Sequence, residues 1–288
     1  MNNLSAVPDD RDAYSGGPAS NLSLDVEFAF LSDPGLQREH NEDYLGFADP
    51  GSPARARTHG WLFVLADGVG GSERGEVASQ TAVEYLTAGF RQAPASEGLS
   101  ALLMRLAQEA NVRIYETGRS HSPGGTSMAT TLVACAFRYD RMVVAHVGDS
   151  RCYLIRQRQT HLLTRDHTVA QEQARIGLIS AKEASEASTR HVLSRSLGND
   201  LFVNVETSDI QVYPGDVLLQ CCDGLYHSVE ASEMAAVAGH GGDLKQAAKR
   251  LVDIANDRDG SDNISVQLIR VRSVERVGMY RGRPYKLR

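Results

Sequence analysis

An α+β layered sandwich, with antiparallel sheets packed together and helices outside, is the fold class this sequence predicts. Three observations predict it. Short apolar runs come in consecutive groups instead of alternating with helices. Several of these runs are too continuous to have a wet face, so they belong in sheets covered on both sides. Two long helical patterns lie side by side between the second and third runs.

The strand-like runs are Val26 to Leu31, Trp61 to Ala66, Thr130 to Phe137, Met142 to Val147, Cys152 to Arg156, Val217 to Cys222 and Ile264 to Val271. Each is short, apolar and bounded by turn-forming residues. Helical spacing of apolar residues, three and four apart, covers Gly75 to Phe90 and Leu99 to Gly118. A third helix fits Asp243 to Asp257, with Asp243 as N-cap and Leu244, Ala247, Ala248, Leu251 and Ile254 as its buried stripe. Asp166 to Arg190 is polar and rich in Ala and Glu, and predicts a small helical excursion able to act as a flap. Residues 1–22, with Pro8, Gly16, Gly17 and Pro18 and little apolar content, read as a flexible tail outside the fold. Residues 273–288, carrying Arg276, Arg281, Arg283, Lys286 and Arg288, read as a solvated basic tail.

Composition bounds the function. With 42% hydrophobic and 23% charged residues, the chain is of ordinary globular type with enough apolar content for a sizeable core. A net charge of -6 argues against a broad nucleic-acid surface, because binding a phosphate backbone draws on a positive field. Cys135, Cys152, Cys221 and Cys222 lie in apolar runs without metal-ligand or disulfide spacing, so they read as core residues in a reducing compartment. No secretory leader and no run of ~18 apolar residues is visible, which predicts a cytoplasmic protein without a membrane partner. Oligomeric state leaves no sequence signal.

The positions of the acidic residues are the informative feature. Trp61 to Ala66 runs into Asp67-Gly68, and Val217 to Cys222 into Asp223-Gly224. Met142 to Val147 ends in Gly148-Asp149, Asp262-Asn263 precedes Ile264, and Asn41-Glu42-Asp43 precedes Tyr44 to Phe47. Carboxylates bordering buried strands lose hydration, and several gathered together repel one another unless cations or protons neutralise them. Hard divalent ions suit all-oxygen cages, with Mg and Mn favoured where water completes the shell. Glycine after an aspartate permits a sharp turn that brings its carbonyl toward a cation. Two such ions make a hydroxide near neutral pH and offset charge on a phosphoryl oxygen in in-line displacement. Arg38, five residues before Asp43, is placed to offer the phosphate a bidentate fork.

These motifs together resemble the metal-dependent protein phosphatase family, type 2C, in its bacterial form. The match comprises Arg38-x-x-Asn41-Glu42-Asp43, Ala66-Asp67-Gly68-Val69-Gly70-Gly71 with Gly75-Glu76 and Ala78-Ser79, and Met128 to Leu132. It continues through Val147-Gly148-Asp149-Ser150-Arg151, Leu163 to His167, Cys222-Asp223-Gly224-Leu225 and Ser261 to Val266, in the family's order across residues 26–271.

The resemblance implies a four-layer α-β-β-α sandwich of two antiparallel sheets flanked by helices, with 23–272 as the catalytic domain and 166–190 as its flap. It implies two Mn2+ or Mg2+ ions, with Asp67 bridging both, Gly68 adding its carbonyl, and Asp223 and Asp262 holding one directly. Glu42 and Asp43 would act through metal-bound waters, Asp149 with Asp223 would suit a third, weaker ion, and Arg38 would orient the phosphate. The implied substrates are proteins phosphorylated on Ser or Thr, and the implied partner is a cognate Ser/Thr kinase.

There are three departures. Val69 stands where eukaryotic relatives carry a proposed general-acid His, leaving water or another group to protonate the leaving oxygen. Ala129 replaces the family's usual Gly. The flap is the least family-specific stretch.

Other chemistries fit poorly. Cys135 with Arg141, and Cys152 with Arg158, have tyrosine-phosphatase spacing but lack the glycines of a phosphate cradle. Gly125-Thr126-Ser127-Met128-Ala129 falls one residue short of G-x-S-x-G, and neither a P-loop nor H-E-x-x-H occurs. The alternative from another class is a pseudophosphatase, a phosphoprotein- or kinase-binding module, whose signature would be lost metal aspartates. All are present.

Overall fold

The computed structural model describes residues 14–16, 24–69, 74–120, 128–239, 241–280 and 283–286. Gly70 and Gly71 of the quoted motif, Gly125 to Ser127, and Arg281 and Arg288 lie outside them.

The first sheet runs β1 (Tyr14–Gly16), β2 (Asp25–Asp33), β11 (Ile264–Ser273), β10 (Val217–Cys221), β7 (Arg151–Arg156), β8 (Gln159–Leu162) in spatial order. The second runs β3 (Asp43–Ala48), β4 (Trp61–Asp67), β5 (Leu132–Arg138), β6 (Arg141–Val147), β9 (Glu206–Gln211). Every pairing in both is antiparallel.

Strand β4 explains the continuous apolar runs. Leu62, Val64 and Ala66 pack toward helices α2 (Gly75–Gln92) and α3 (Leu99–Ser120), while Trp61, Phe63 and Leu65 pack toward the first sheet. On the far side, Val217, Leu219 and Cys221 of β10 meet α7 (Ala231–Ala238) and α8 (Leu244–Arg258). Four layers result, as the sequence predicts, because both faces of each sheet are covered. Rings of Phe28, Phe47, Trp61, Phe63 and Phe137 fill the middle of the sandwich. All four cysteines are buried and free.

The predicted helices lie within two residues of their observed ends, and the Asp243 side chain caps α8 by accepting from Lys245 N at 2.8 Å. In 166–190 the chain forms α4 (Val169–Arg175), α5 (Ala181–Glu186) and a 3-10 turn at Ser188–His191. The two ends of this excursion are clasped by Val169 N donating to Val192 O and Ser194 N to His167 O, both at 2.8 Å.

Short strands lie within both segments read as tails. Tyr14–Gly16 pairs with Phe28 to Phe30 at the edge of the first sheet, and Val277–Tyr280 (β12) pairs with Arg283–Lys286 (β13) as a hairpin. The side of β2 away from β11 offers backbone groups that accept a strand whatever its polarity, and β1 pairs along it. The sequence also left β8, β9, α7, the short helix α1 (Pro53–Thr58) and the single turn α6 (Asp223–Tyr226) unassigned. Strands β8 and β9 are sheet edges with polar, half-wet residues and therefore carry no apolar run.

Candidate metal centre

The ends of the two sheets meet at one open cleft of about 630 Å3. Arg38, Glu42, Asp67, Gly68, Asp149, Asp223 and Asp262 all line it. Asp43 does not; it sits beneath, directly opposite Asp67 in the β3–β4 register. The sequence-predicted residues therefore converge, seven in the cleft wall and one under it.

Each is held by its neighbours' backbone. Asp67 ends β4, where its N–H donates to Thr131 Oγ1 at 3.0 Å and its carbonyl accepts from Thr130 Oγ1 and Thr131 N, each at 2.8 Å. Thr131 Oγ1 is itself 2.7 Å from Ser150 Oγ, tying Asp67 to the turn that carries Asp149. Asn263 latches the loop bearing Arg38 and Glu42: its Nδ2 donates to Pro34 O and His40 O at 3.0 Å, and its Oδ1 accepts from Glu42 N at 2.8 Å. The Glu42 carbonyl accepts from Ser79 Oγ at 2.6 Å and Gly68 N at 3.0 Å. Arg38 Nη2 donates to Asp262 Oδ2 at 3.0 Å, leaving nearly half of the Arg38 side chain in solvent.

The glycine at 68 has a different purpose from the turn expected of it. Its φ is not in the left-handed region, but a Cβ there would stand 2.5 Å from the Gly75 carbonyl and 2.8 Å from Glu42 O. Close backbone approach, where α2 begins against β4, demands it. Gly148 does need the left-handed region, at φ +99°, to swing Asp149 inward from β6.

Electrostatics show carboxylates crowded together at the cleft. Desolvation, the largest cause, raises Asp43 to about 6. Burial and then Asp166 push Asp149 to about 7. Asp223 stands at about 8 through desolvation and then Asp149, although a quarter of its side chain faces the cleft. Asp67 is raised well above the carboxylate range by burial and by its neighbours Asp43, Asp223, Asp149 and Asp262.

Both carboxylate oxygens of Asp43 are buried without a hydrogen-bond partner among the described residues. Cys222 Sγ lies within 4.8 Å of an Asp43 and an Asp67 oxygen, but burial holds the thiol protonated, and it donates to Asn263 O while accepting from Ser265 N. The donor set is thus oxygen only, crowded and short of positive charge, which fits hard divalent ions with water in their shells.

Sequence reasoning did not find two histidines at the rim. His191, at the end of the 3-10 turn, and His227, just past α6, approach Asp223, with a ligand atom from each of the three within 4.8 Å of the others. Neither lies in a motif, and only the fold brings them together.

The sequence and fold have known counterparts. Residues 37–268 match the family model described as Protein phosphatase 2C. The serine/threonine phosphatase stp of Listeria monocytogenes is 33% identical over 243 residues, spanning 83% of this chain and 94% of that protein. The solved serine/threonine phosphatase of S. agalactiae superposes with a TM-score of 0.76 at 31% identity, covering 85% of this chain and 99% of that one. The Mycobacterium tuberculosis phosphatase PstP/Ppp superposes with a TM-score of 0.74 at 30% identity, covering 86% and 99%. A PstP catalytic domain has also been solved with 2 manganese ions. With its cleft, sheet order and sequence all in agreement, this chain belongs to the protein phosphatase 2C family and is a serine/threonine protein phosphatase.

Proposed function

We propose that the carboxylate cleft holds two Mn2+ or Mg2+ ions through Asp67, the Gly68 carbonyl, Asp223 and Asp262, with a third, weaker ion at Asp149 and Asp223. The observation that carries this is Asp43, Asp149 and Asp223 standing at about 6, 7 and 8 around the buried Asp67, a crowded acidic set that protons or cations must neutralise. Bound there, the ions supply a water acidic enough to attack phosphorus near neutral pH and offset the charge on the phosphoryl oxygens.

The chain's own groups do the rest. Glu42 and Asp43 would act on the ions through water in their shells. Arg38 turns its exposed fork from Asp262 toward the phosphate and fixes it for in-line attack. Val69 offers no proton, so water or another group protonates the leaving serine or threonine oxygen. The substrates are phosphoserine and phosphothreonine proteins, and the opposing partner is a Ser/Thr kinase of the cytoplasm. The catalytic unit is 23–272.

The test is hydrolysis of p-nitrophenyl phosphate and a phosphothreonine peptide with and without Mn2+ or Mg2+, beside a count of bound ions by anomalous scattering. Turnover that needs the cation, and is abolished in Asp223→Asn with the fold intact, is the expected result. A metal-loaded protein without turnover would instead make it a phosphoprotein-binding pseudophosphatase.

A further inference from the structure

We propose that His191, His227 and Asp223 form a further site for a zinc-type ion, sharing Asp223 with the carboxylate cleft and tying the 166–190 excursion to the catalytic sheets. Its competition with the Mn or Mg centre for Asp223 rests on the reading above; the binding itself does not.

The placement is specific. Asp223 opens α6 and His227 follows one turn later, which puts His227 Nδ1 3.8 Å from Asp223 Oδ2. His191 reaches the same point from the other wall, its ring 4.7 Å from the His227 ring at an interplanar angle of 72°. Edge-to-face imidazoles with an adjacent carboxylate give an N2O donor set. Zinc takes such ligands at about 2.0–2.2 Å and leaves its fourth position to water. The three atoms, within 4.8 Å of one another, need to close by only about an ångström to surround one ion.

The chemistry differs from that of the carboxylate cleft. Imidazole selects zinc, copper, nickel or cobalt, whereas all-oxygen cages suit magnesium and manganese. Two nearby cations bear on it. Arg151 is neutralised by Asp166 through bonds of 2.9 and 2.7 Å. Arg190 Nε donates to His191 Nε2 at 2.7 Å, so an ion taking His191 Nδ1 leaves that bond in place, and one taking Nε2 displaces Arg190. His191 stands at the C-terminal base of the excursion, beside the Val169–Val192 clasp, and His227 in the body of the domain, so an ion between them adds a second fastening at that base.

The test is zinc calorimetry on the whole chain, without Mg2+ and again with Mg2+ saturating, comparing wild type with His191→Gln and His227→Gln. Both residues are exposed, with 35% of the His227 side chain in solvent, and the melting temperature of each variant checks that it folds. The expected result is one zinc event weakened about tenfold or more by each substitution. A visible Co2+ band of nitrogen-ligated, four-coordinate type should fall with it, and zinc should slow amide exchange over residues 181–193 in wild type only. Zinc affinity, Co2+ band and exchange unchanged in both variants would overturn the site. Turnover assays separate the two readings: absent Mn2+-dependent hydrolysis removes the phosphatase reading and leaves the zinc site to stand or fall on calorimetry.

Discussion

Asp43 and Asp67 are register partners on β3 and β4, two carboxylates facing each other at the wet end of an otherwise apolar ladder. Nothing hydrophobic explains that pairing, and without cations it opposes folding.

Replacing one of the pair separates its two consequences. Asp67→Asn should lower phosphopeptide turnover by at least about 100-fold, because the central ligand is gone. The same variant in EDTA should melt higher than wild type by about 2 °C or more, since a repelling charge is removed. Calorimetric melting with and without Mn2+ checks both, and a lower melting point in EDTA would count against the repulsive pairing.

The carboxylates also set a pH dependence. Asp43, Asp149 and Asp223 stand at about 6, 7 and 8, above their unfolded value near 3.8, so between these limits the folded protein binds more protons than the unfolded chain. Their stabilising contribution is complete below about pH 4 and is lost as pH rises through 6 to 8. The melting temperature in EDTA should therefore fall from pH 5.5 to pH 8, and Mn2+ should flatten the slope. Parallel curves with and without the cation would reject the prediction.

Gly68→Ala tests the backbone approach. A methyl 2.5 Å from the Gly75 carbonyl forces α2 away from β4, and Glu42 with it. We expect a loss of about 1–3 kcal/mol by denaturant titration, together with weakened Mn2+ binding.

Glu206 fastens the base of the excursion. It accepts from Arg165 at 2.6 Å and Arg195 at 3.1 Å, and lies 3.2 Å from His167 Nε2. Against its desolvation, these partners hold its carboxyl at about 2. Glu206→Gln should cost about 1–2 kcal/mol and speed amide exchange across residues 166–195. Unchanged exchange would show that the clasp at Val169–Val192 suffices alone.

Much of the site was readable before the fold because its ligands occupy strand ends. Asp67, Asp149, Asp223 and Asp262 each stop or start an apolar run, and a carboxylate at that boundary has little structural reason to be there. The central strands were legible for the same reason, being buried on both faces. Edge strands β8 and β9 were not, since half-wet backbone pairing leaves no apolar period to detect. Thr131 and Asn263 were visible as motif members, yet their hydrogen bonds to Asp67 and to the Glu42 loop come only from chain crossings remote in sequence. His191 and His227 had no signal at all.

The acidic residues come from both halves of the sandwich: Asp43 and Asp67 from one sheet, Asp223 and Asp262 from the ends of strands in the other. A chain with only one sheet assembled has half a grip and no hydrolytic centre. Any dication that settles there fastens the two halves like a rivet, so ion concentration should set the lifetime of the assembled sandwich as well as its rate of dephosphorylation.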